Sequence, residues 1–213
     1  MTHARAWRCA LCGWLNPSDA KACASCEKGK PRKRKRLDPS FRPWACVVLA
    51  LDAGSCSGWA IWVLGKLAAS GEHSIYSDAG LREVVRVVEQ AKAYAAHLGV
   101  PWVALIEQAW GGRMGVGLGC AAGYWMFALR NAQLPRARIG SVLPNVWRAR
   151  ALPKGSNALS RDKVRAVEVA TARALVQGRK VGDDEAPAIL IGKWAAQAGE
   201  TGAMLPKNAR VTT

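Results

Sequence analysis

Three acids in this 213-residue chain stand where apolar segments end or begin. Asp52 closes the run VVLAL at 47–51, and Glu107 closes WVALI at 102–106. Asp184 lies in GDDEAP at 182–187, which opens an apolar helix predicted over 188–198. An ionised carboxylate without a partner is expensive to bury, so an acid at the end of a buried strand needs a cation to meet it. An Asp at a helix start also serves as an N-cap, and the residues themselves leave both readings of Asp184 open. A second chemistry is offered by Cys9, Cys12, Cys23 and Cys26, two CxxC pairs that can supply four thiolates to one tetrahedral zinc.

The elements that must carry the acids follow from patterning. Residues 47–51 suit a buried strand, and Gly54, Ser55, Ser57 and Gly58 can turn the chain tightly. An apolar run at 59–64 then returns as an antiparallel partner, and 72–76 reads as a short third strand. In AGLREVVRVVEQAKAYAAHLG the residues Leu81, Val84, Val85, Val88, Ala91, Ala95 and Leu98 share one helical face, with Gly99 and Pro101 as the stop. Strand 102–106 follows. Parallel strands joined through a helix place their C-terminal ends side by side, the edge where ligands collect in α/β sheets. Further on, Ser160 can cap a helix from Arg161 whose inward face is Val164, Val167, Ala170 and Leu175.

Composition narrows the partners. The chain carries 31 Lys and Arg against 15 Asp and Glu, a net charge of +16, which points to a polyanion: nucleic acid first, an anionic membrane second. Six of these basic residues fall between Lys30 and Arg36. With prolines at 31, 39 and 43, that stretch reads as an extended linker whose Arg32, Lys33, Arg34, Lys35 and Arg36 can gain affinity for phosphates by counterion release. A solvated tether or a localisation signal is the plainer reading of the same run. No secretory pattern and no run of about 18 apolar residues is evident, so a cytoplasmic protein without a membrane partner is expected. Of the seven cysteines, four are in the CxxC pairs and three lie inside apolar segments, which fits metal binding plus buried thiols better than disulfides.

LALDAGSCSGWA, LIEQAW, the Gly-rich apolar LGCAAGYWMFAL and DDEAPAILIGKWAA, in that order, resemble the successive motifs of RuvC-type Holliday-junction resolvases of the RNase H-like superfamily, particularly divergent phage forms. The resemblance implies an α/β fold, an RNase H-like mixed sheet flanked by helices, working as a homodimer on four-way or related branched DNA in a bacterial or phage-infected cell. It implies phosphodiester hydrolysis with Asp52 as the bridging ligand, Glu107 as the second and Asp184 as the acid at the last helix. Such carboxylates hold two Mg²⁺ or Mn²⁺ ions about 4 Å apart. It also implies that Trp110, for which a core aromatic is the plainer reading, lies at the junction centre, and that the small residues Gly119, Ala121, Ala122 and Gly123 line the dimer face; the Gly-rich basic loop that carries Arg113 can follow DNA. Arg148 and Lys163 are the counterparts of the basic residues near the scissile phosphate. Two departures stand out. Pro187 occupies the position three after Asp184 where the family has a further acid, so the catalytic set is three acids or is completed by Asp183 or Glu185. The turn after Asp52 is one residue short, with Ser57 and Trp59 in the places of Thr and Tyr.

At the other end, Trp7-x-Cys9-x2-Cys12-x3-Asn16-x6-Cys23-x2-Cys26 resembles the Ran-binding-protein-type zinc finger. That implies one structural Zn²⁺ and a ligand that is single-stranded nucleic acid or protein. The expected organisation is a zinc ribbon at 1–29, a linker at 30–43, the nuclease domain at 44–200 and a tail at 201–213. Two other functions remain consistent with these residues: a catalytically degenerate binder of branched nucleic acid, and an RNase H-like nuclease on flaps or RNA–DNA hybrids.

Overall fold

In a computed structural model, which describes residues 7–8, 15–16, 46–107 and 116–200, the chain divides into two compact units, Met1–Arg36 and Leu37–Thr213. The first contains strands β1 (Trp7–Arg8) and β2 (Leu15–Asn16), paired antiparallel with Trp7 opposite Asn16. Cys9, Cys12, Cys23, Cys26 and the basic run Arg32, Lys33, Arg34, Lys35 and Arg36 lie outside the described residues.

The second unit is built on β3 (Val47–Asp52), β4 (Cys56–Val63) and β5 (Lys66–Ser74), followed by helix α1 (Asp78–Leu98) and strand β6 (Trp102–Glu107). Helix α2 (Val116–Asn131), strand β7 (Ile139–Val142), and helices α3 (Pro144–Ala151), α4 (Arg161–Leu175) and α5 (Glu185–Glu200) complete it. One five-stranded sheet runs in the order β5-β4-β3-β6-β7. Its first three strands form an antiparallel meander, and β6 joins β3 in parallel, as β7 joins β6. Among the described residues no helix is long and apolar enough to cross a membrane.

Helices cover both faces of this sheet, which explains the nearly unbroken apolar runs of its central strands. Val47, Leu49 and Leu51 pack with Val84, Val88, Trp125 and Leu129 of α1 and α2. Val48 and Ala50, with Val103 and Leu105, pack with Trp147, Val164 and Trp194 of α3, α4 and α5. Because side chains alternate along a strand, Asp52 follows Val48 and Ala50 onto the second face, and Glu107 follows Val103 and Leu105. The two acids therefore share the face covered by α3, α4 and α5.

Several elements differ from their sequence-based expectation. The third strand begins at Lys66 instead of residue 72, because Leu64 and Gly65 make a tight turn with φ of 50° and 79°. A leucine at a positive-φ position carries no turn signal. β7 and α3 have no counterpart among the expected elements: IGSV is too short and too rich in small residues to read as a strand, and its burial is supplied by its neighbours. On α1, Val85 and Leu98 are exposed, while Val84, Val87, Val88, Ala91 and Ala95 form the buried stripe. Ser77 caps that helix by accepting a hydrogen bond from the Gly80 N–H, and Gly99 ends it at φ 64°.

One glycine decides how close α5 comes. Gly58 sits opposite Asp52 on β4, and a Cβ there would overlap the main-chain carbonyl of Asp184. Its missing side chain is the space through which the start of α5 meets the sheet beside Asp52.

Candidate cation site at the ends of β3 and β6

The register of the parallel pair sets Leu51 opposite Ile106, so Asp52 and Glu107 end neighbouring strands on one face. Both are partly buried. Glu107 accepts a 3.0 Å hydrogen bond from the indole Nε1 of Trp147, which α3 buries completely beneath the strand ends. That contact anchors one carboxylate oxygen, Oε2.

Two arginines approach from α3 and α4. Arg148 places its Nε 2.6 Å from Oε1 of Glu168, and its guanidinium lies 5.1 Å from the Trp147 ring centroid. Arg165 donates from Nη2 to Asp184 Oδ1 at 2.8 Å, and its Nε lies 3.4 Å from Asp183 Oδ2. Lys163, two residues before Arg165, is exposed on the first turn of α4. Two residues on a helix differ by roughly 200° in direction, so the lysine and the arginine face apart. Arg165, which carries no distinguishing signal in the sequence, is the α4 base that reaches the acids.

Electrostatics tie these groups together. Burial pushes the Asp52 carboxyl up to about 7, with the charges of Asp184 and Glu168 adding to the rise and Arg165 and Arg148 opposing it. Glu107 is pushed up to about 8, again first by burial and then by Asp52, against Arg148 and the Trp147 hydrogen bond. Glu168 is also raised by its burial, and Arg148 opposes this. When these acids are ionised, the two arginines leave negative charge unmatched. The facing donors are carboxylate oxygens, the set that suits Mg²⁺ or Mn²⁺. By donor chemistry the acids at the strand ends suit a divalent cation.

Asp184 also belongs to a second constellation. One ligand atom each from Cys56, Glu72 and Asp184 lies within 4.8 Å of the others. Here, however, Glu72 already accepts the main-chain N–H groups of Asp184 and Glu185, both at 3.1 Å, and so caps α5 from β5. The Cys56 thiol is pushed up to about 11 by burial and by its hydrogen bond to Asp184. A protonated thiol and an occupied carboxylate hold the helix start in place.

The remaining acids fall apart by role. Glu185 is buried and pairs with Arg179 at 2.5 Å, while Asp183 is mostly exposed against Arg165. Pro187 is the third residue of α5, where a missing N–H costs nothing because first-turn donors have no helical partner. Trp110 and Arg113 lie outside the described residues. A signal for Glu168 exists in the sequence: it stands four residues from both Val164 and Ala172, so the buried stripe of α4 contains an acid. The expected inward face includes Ala170 instead, which is exposed.

No protein-family model matches the sequence, and no curated protein matches it. Solved structures do. A Thermus thermophilus RuvC structure aligns with a TM-score of 0.52 at 18% identity, covering 74% of this chain and 97% of that one. T. thermophilus RuvC in complex with Holliday junction substrate aligns with a TM-score of 0.53 at 16% identity over the same shares. The fold matches that of RuvC. At this level of identity the likeness speaks for the RuvC-like architecture, an RNase H-like mixed sheet flanked by helices.

The raised acids make metal-free stability depend on pH. Between about pH 4 and pH 7 the unfolded chain has released the Asp52 proton and the folded chain retains it, so stability falls as pH rises through that window. Asp52→Asn removes this contribution. In metal-free buffer the variant should melt at nearly the wild-type temperature at pH 4 and several degrees above it at pH 8, since each pH unit of difference is worth at most about 1.4 kcal/mol. Added Mg²⁺ should raise the wild-type melting temperature at pH 8 and leave the variant almost unmoved. Scanning calorimetry of both proteins, with and without Mg²⁺, checks the expectation, and identical pH profiles would contradict it.

Proposed function

We propose that this protein is a divalent-metal-dependent endonuclease that resolves Holliday junctions or related branched DNA. The observation that carries the reading is the pair Asp52 and Glu107, set in register at the ends of neighbouring parallel strands with Asp184 brought in over Gly58. The RuvC-like fold and the net charge of +16 support it. Asp52, Glu107 and Asp184 would hold two Mg²⁺ or Mn²⁺ ions, and one site of this kind supplies an activated water and charge stabilisation of the leaving oxygen.

The chain's own residues prepare that chemistry. Trp147 fixes the rotamer of Glu107 through its indole N–H. The helix start that carries Asp184 is held by Glu72 from β5 and by Arg165 from α4. Arg165 and Arg148 stand beside the acids as the cations nearest to an arriving phosphate, the role that the family resemblance gives to Arg148 and Lys163. Asp183, exposed and loosely paired, is free to exchange Arg165 for another partner.

The assembly belongs to the same reading. Tyr124 and Phe127 on α2 are exposed by 42% and 65%, and Gly123 beside them leaves room for a close helix neighbour. We infer a homodimer built on this helix face, which would place two cation sites on one junction. The arm at 1–36 is read as a zinc ribbon with one Zn²⁺ on Cys9, Cys12, Cys23 and Cys26, followed by basic residues that add phosphate contacts. Trp110 and Arg113 are assigned to the junction centre and its flanking strands. The working location is the DNA of a bacterial or phage-infected cell.

Incubated with a synthetic four-way junction and Mg²⁺, the full-length protein should introduce nicks. Removing a bridging carboxylate forfeits several kcal/mol of metal-mediated stabilisation, so Asp52→Asn should cut about a thousandfold more slowly while still shifting the junction on a gel. Cleavage of a flap or an RNA–DNA hybrid in preference to the junction would change the substrate and keep the nuclease. Tight binding with every strand left whole would establish the degenerate binder instead.

Sedimentation provides the check on assembly: the wild type should run as a dimer and the double variant Tyr124→Glu, Phe127→Glu as a folded monomer. Monomeric wild type at micromolar concentration would remove the α2 interface.

Deletion of residues 1–36 should leave junction cutting intact at low salt. Its affinity should fall, and the slope of log affinity against log salt should flatten by about one for each phosphate that the arm neutralises in the full chain. A truncated protein that binds DNA identically at every salt concentration would assign the arm to a different partner.

A further inference from the structure

The buried tryptophans of the second unit differ in what their indole nitrogens do. Trp62, Trp125 and Trp194 are buried, and their Nε1 atoms have no hydrogen-bond partner among the described residues. Trp147 is buried as completely, yet its Nε1 donates to Glu107 Oε2 at 3.0 Å. This core accepts an indole for its bulk alone; of these four, only Trp147 meets an acid.

The fold delivers that donor with little freedom. Val142, the last residue of β7, stands opposite Glu107 in the parallel register, and Pro144 starts α3 two residues later. Trp147 therefore closes the first turn of α3, next to the end of β6. It is buried in one cluster with Val103 and Leu105 of β6. The Arg148 guanidinium, itself held by Glu168 at 2.6 Å, lies 5.1 Å from the ring centroid. A ring enclosed in this way keeps its N–H on Glu107.

A donor fixed on one oxygen changes what a carboxylate offers a cation, because the hydrogen-bond partners of a metal ligand set its orientation. Ca²⁺ takes about 6–8 oxygens in flexible geometry and accepts both oxygens of one carboxylate, whereas Mg²⁺ demands a near-ideal octahedron that a chelating carboxylate distorts. With Oε2 engaged by the indole, Glu107 presents Oε1 singly.

We propose that Trp147 sets the metal preference of the site: by holding Oε2 of Glu107 it makes this acid a one-oxygen ligand, which suits Mg²⁺ or Mn²⁺ and disfavours Ca²⁺. This rests on the metal-dependent reading above. Trp147 acts through Glu107 as a positioning residue and touches no ion itself.

Metal binding, read without reference to cutting, tests the assignment. Full-length protein is loaded with Mn²⁺, followed by the free-ion electron paramagnetic resonance signal, and Mg²⁺ or Ca²⁺ is added as competitor. In Trp147→Phe, which keeps an aromatic ring and loses the donor, Mg²⁺ affinity should fall about tenfold while Ca²⁺ affinity holds or rises, so the preference for Mg²⁺ over Ca²⁺ drops about tenfold from that of wild type. Trp194→Phe removes an equally buried indole N–H that has no partner among the described residues, and its preference should match wild type. If Trp147 serves packing alone, both metals weaken together and the preference is kept, and that result overturns the proposal. So does a Trp194→Phe protein whose preference shifts as far as that of Trp147→Phe.

If wild type takes up no Mn²⁺, the metal-dependent reading falls and this proposal with it; if it does and Trp147→Phe keeps the wild-type preference, only the role of Trp147 falls. Should Trp147→Phe fail to fold, wild-type crystals grown with Mn²⁺ decide. Glu107 bound to the ion through Oε1 with the indole bond intact supports the assignment. Both Glu107 oxygens within about 2.6 Å of the ion, a broken indole bond, or an ion away from Glu107 rejects it.

Discussion

The structure turns on the cost of bringing like charges together out of water. Asp52 and Glu107 end adjacent parallel strands on one face, and burial together with mutual repulsion raises both. Nothing in the packing of an α/β sheet requires acids there; leucine would serve the core better. Most of what surrounds them addresses that cost. Trp147 donates to Glu107, Arg148 pairs with Glu168, and Arg165 pairs with Asp184. The contributions are partial, and negative charge is left over.

Holding acids in an unfavourable state demands a rigid frame, and the frame is distributed over elements far apart in sequence. The start of α5 is fixed from three directions: Glu72 on β5 caps it, Arg165 on α4 binds Asp184, and Gly58 on β4 lets its main chain approach the sheet. Each of these contacts is modest alone. Together they set the direction from which the third acid arrives, and they do so with main-chain geometry that a side chain at position 58 would block. The same logic gives Pro187 a simple place in the first turn of the helix, so a proline there in place of an acid carries no structural penalty.

Legibility in the sequence followed the physics of each position. Asp52 and Glu107 could be read because an acid interrupts a run of buried strand residues, a break that local sequence displays. Arg148 could be approached through its place in a basic region. Arg165 could not be separated from Lys163 by charge pattern, since only the rotation of α4 decides which of the two faces the site. Glu168 was hidden because it sits at an inward position of an amphipathic helix, where an apolar residue is the ordinary expectation. Glu72 acts through contacts with residues more than a hundred positions away, which no local pattern encodes. β7 and α3 escaped notice for the same reason: their burial comes from neighbours rather than from their own hydrophobicity.

By itself the sequence determined the strand and helix periods, the α/β order of elements, the strong positive charge, and the two strand-end acids. These follow from side-chain chemistry and spacing within a few residues. Tertiary structure decided the rest: the parallel register that sets Asp52 beside Glu107, the approach of Asp184 over Gly58, the choice of Arg165 over Lys163, and the burial of Glu168 against Arg148. The reason is that a charged group's energy depends on what surrounds it in space, and in this chain the surroundings of every acid come from segments that only folding brings together.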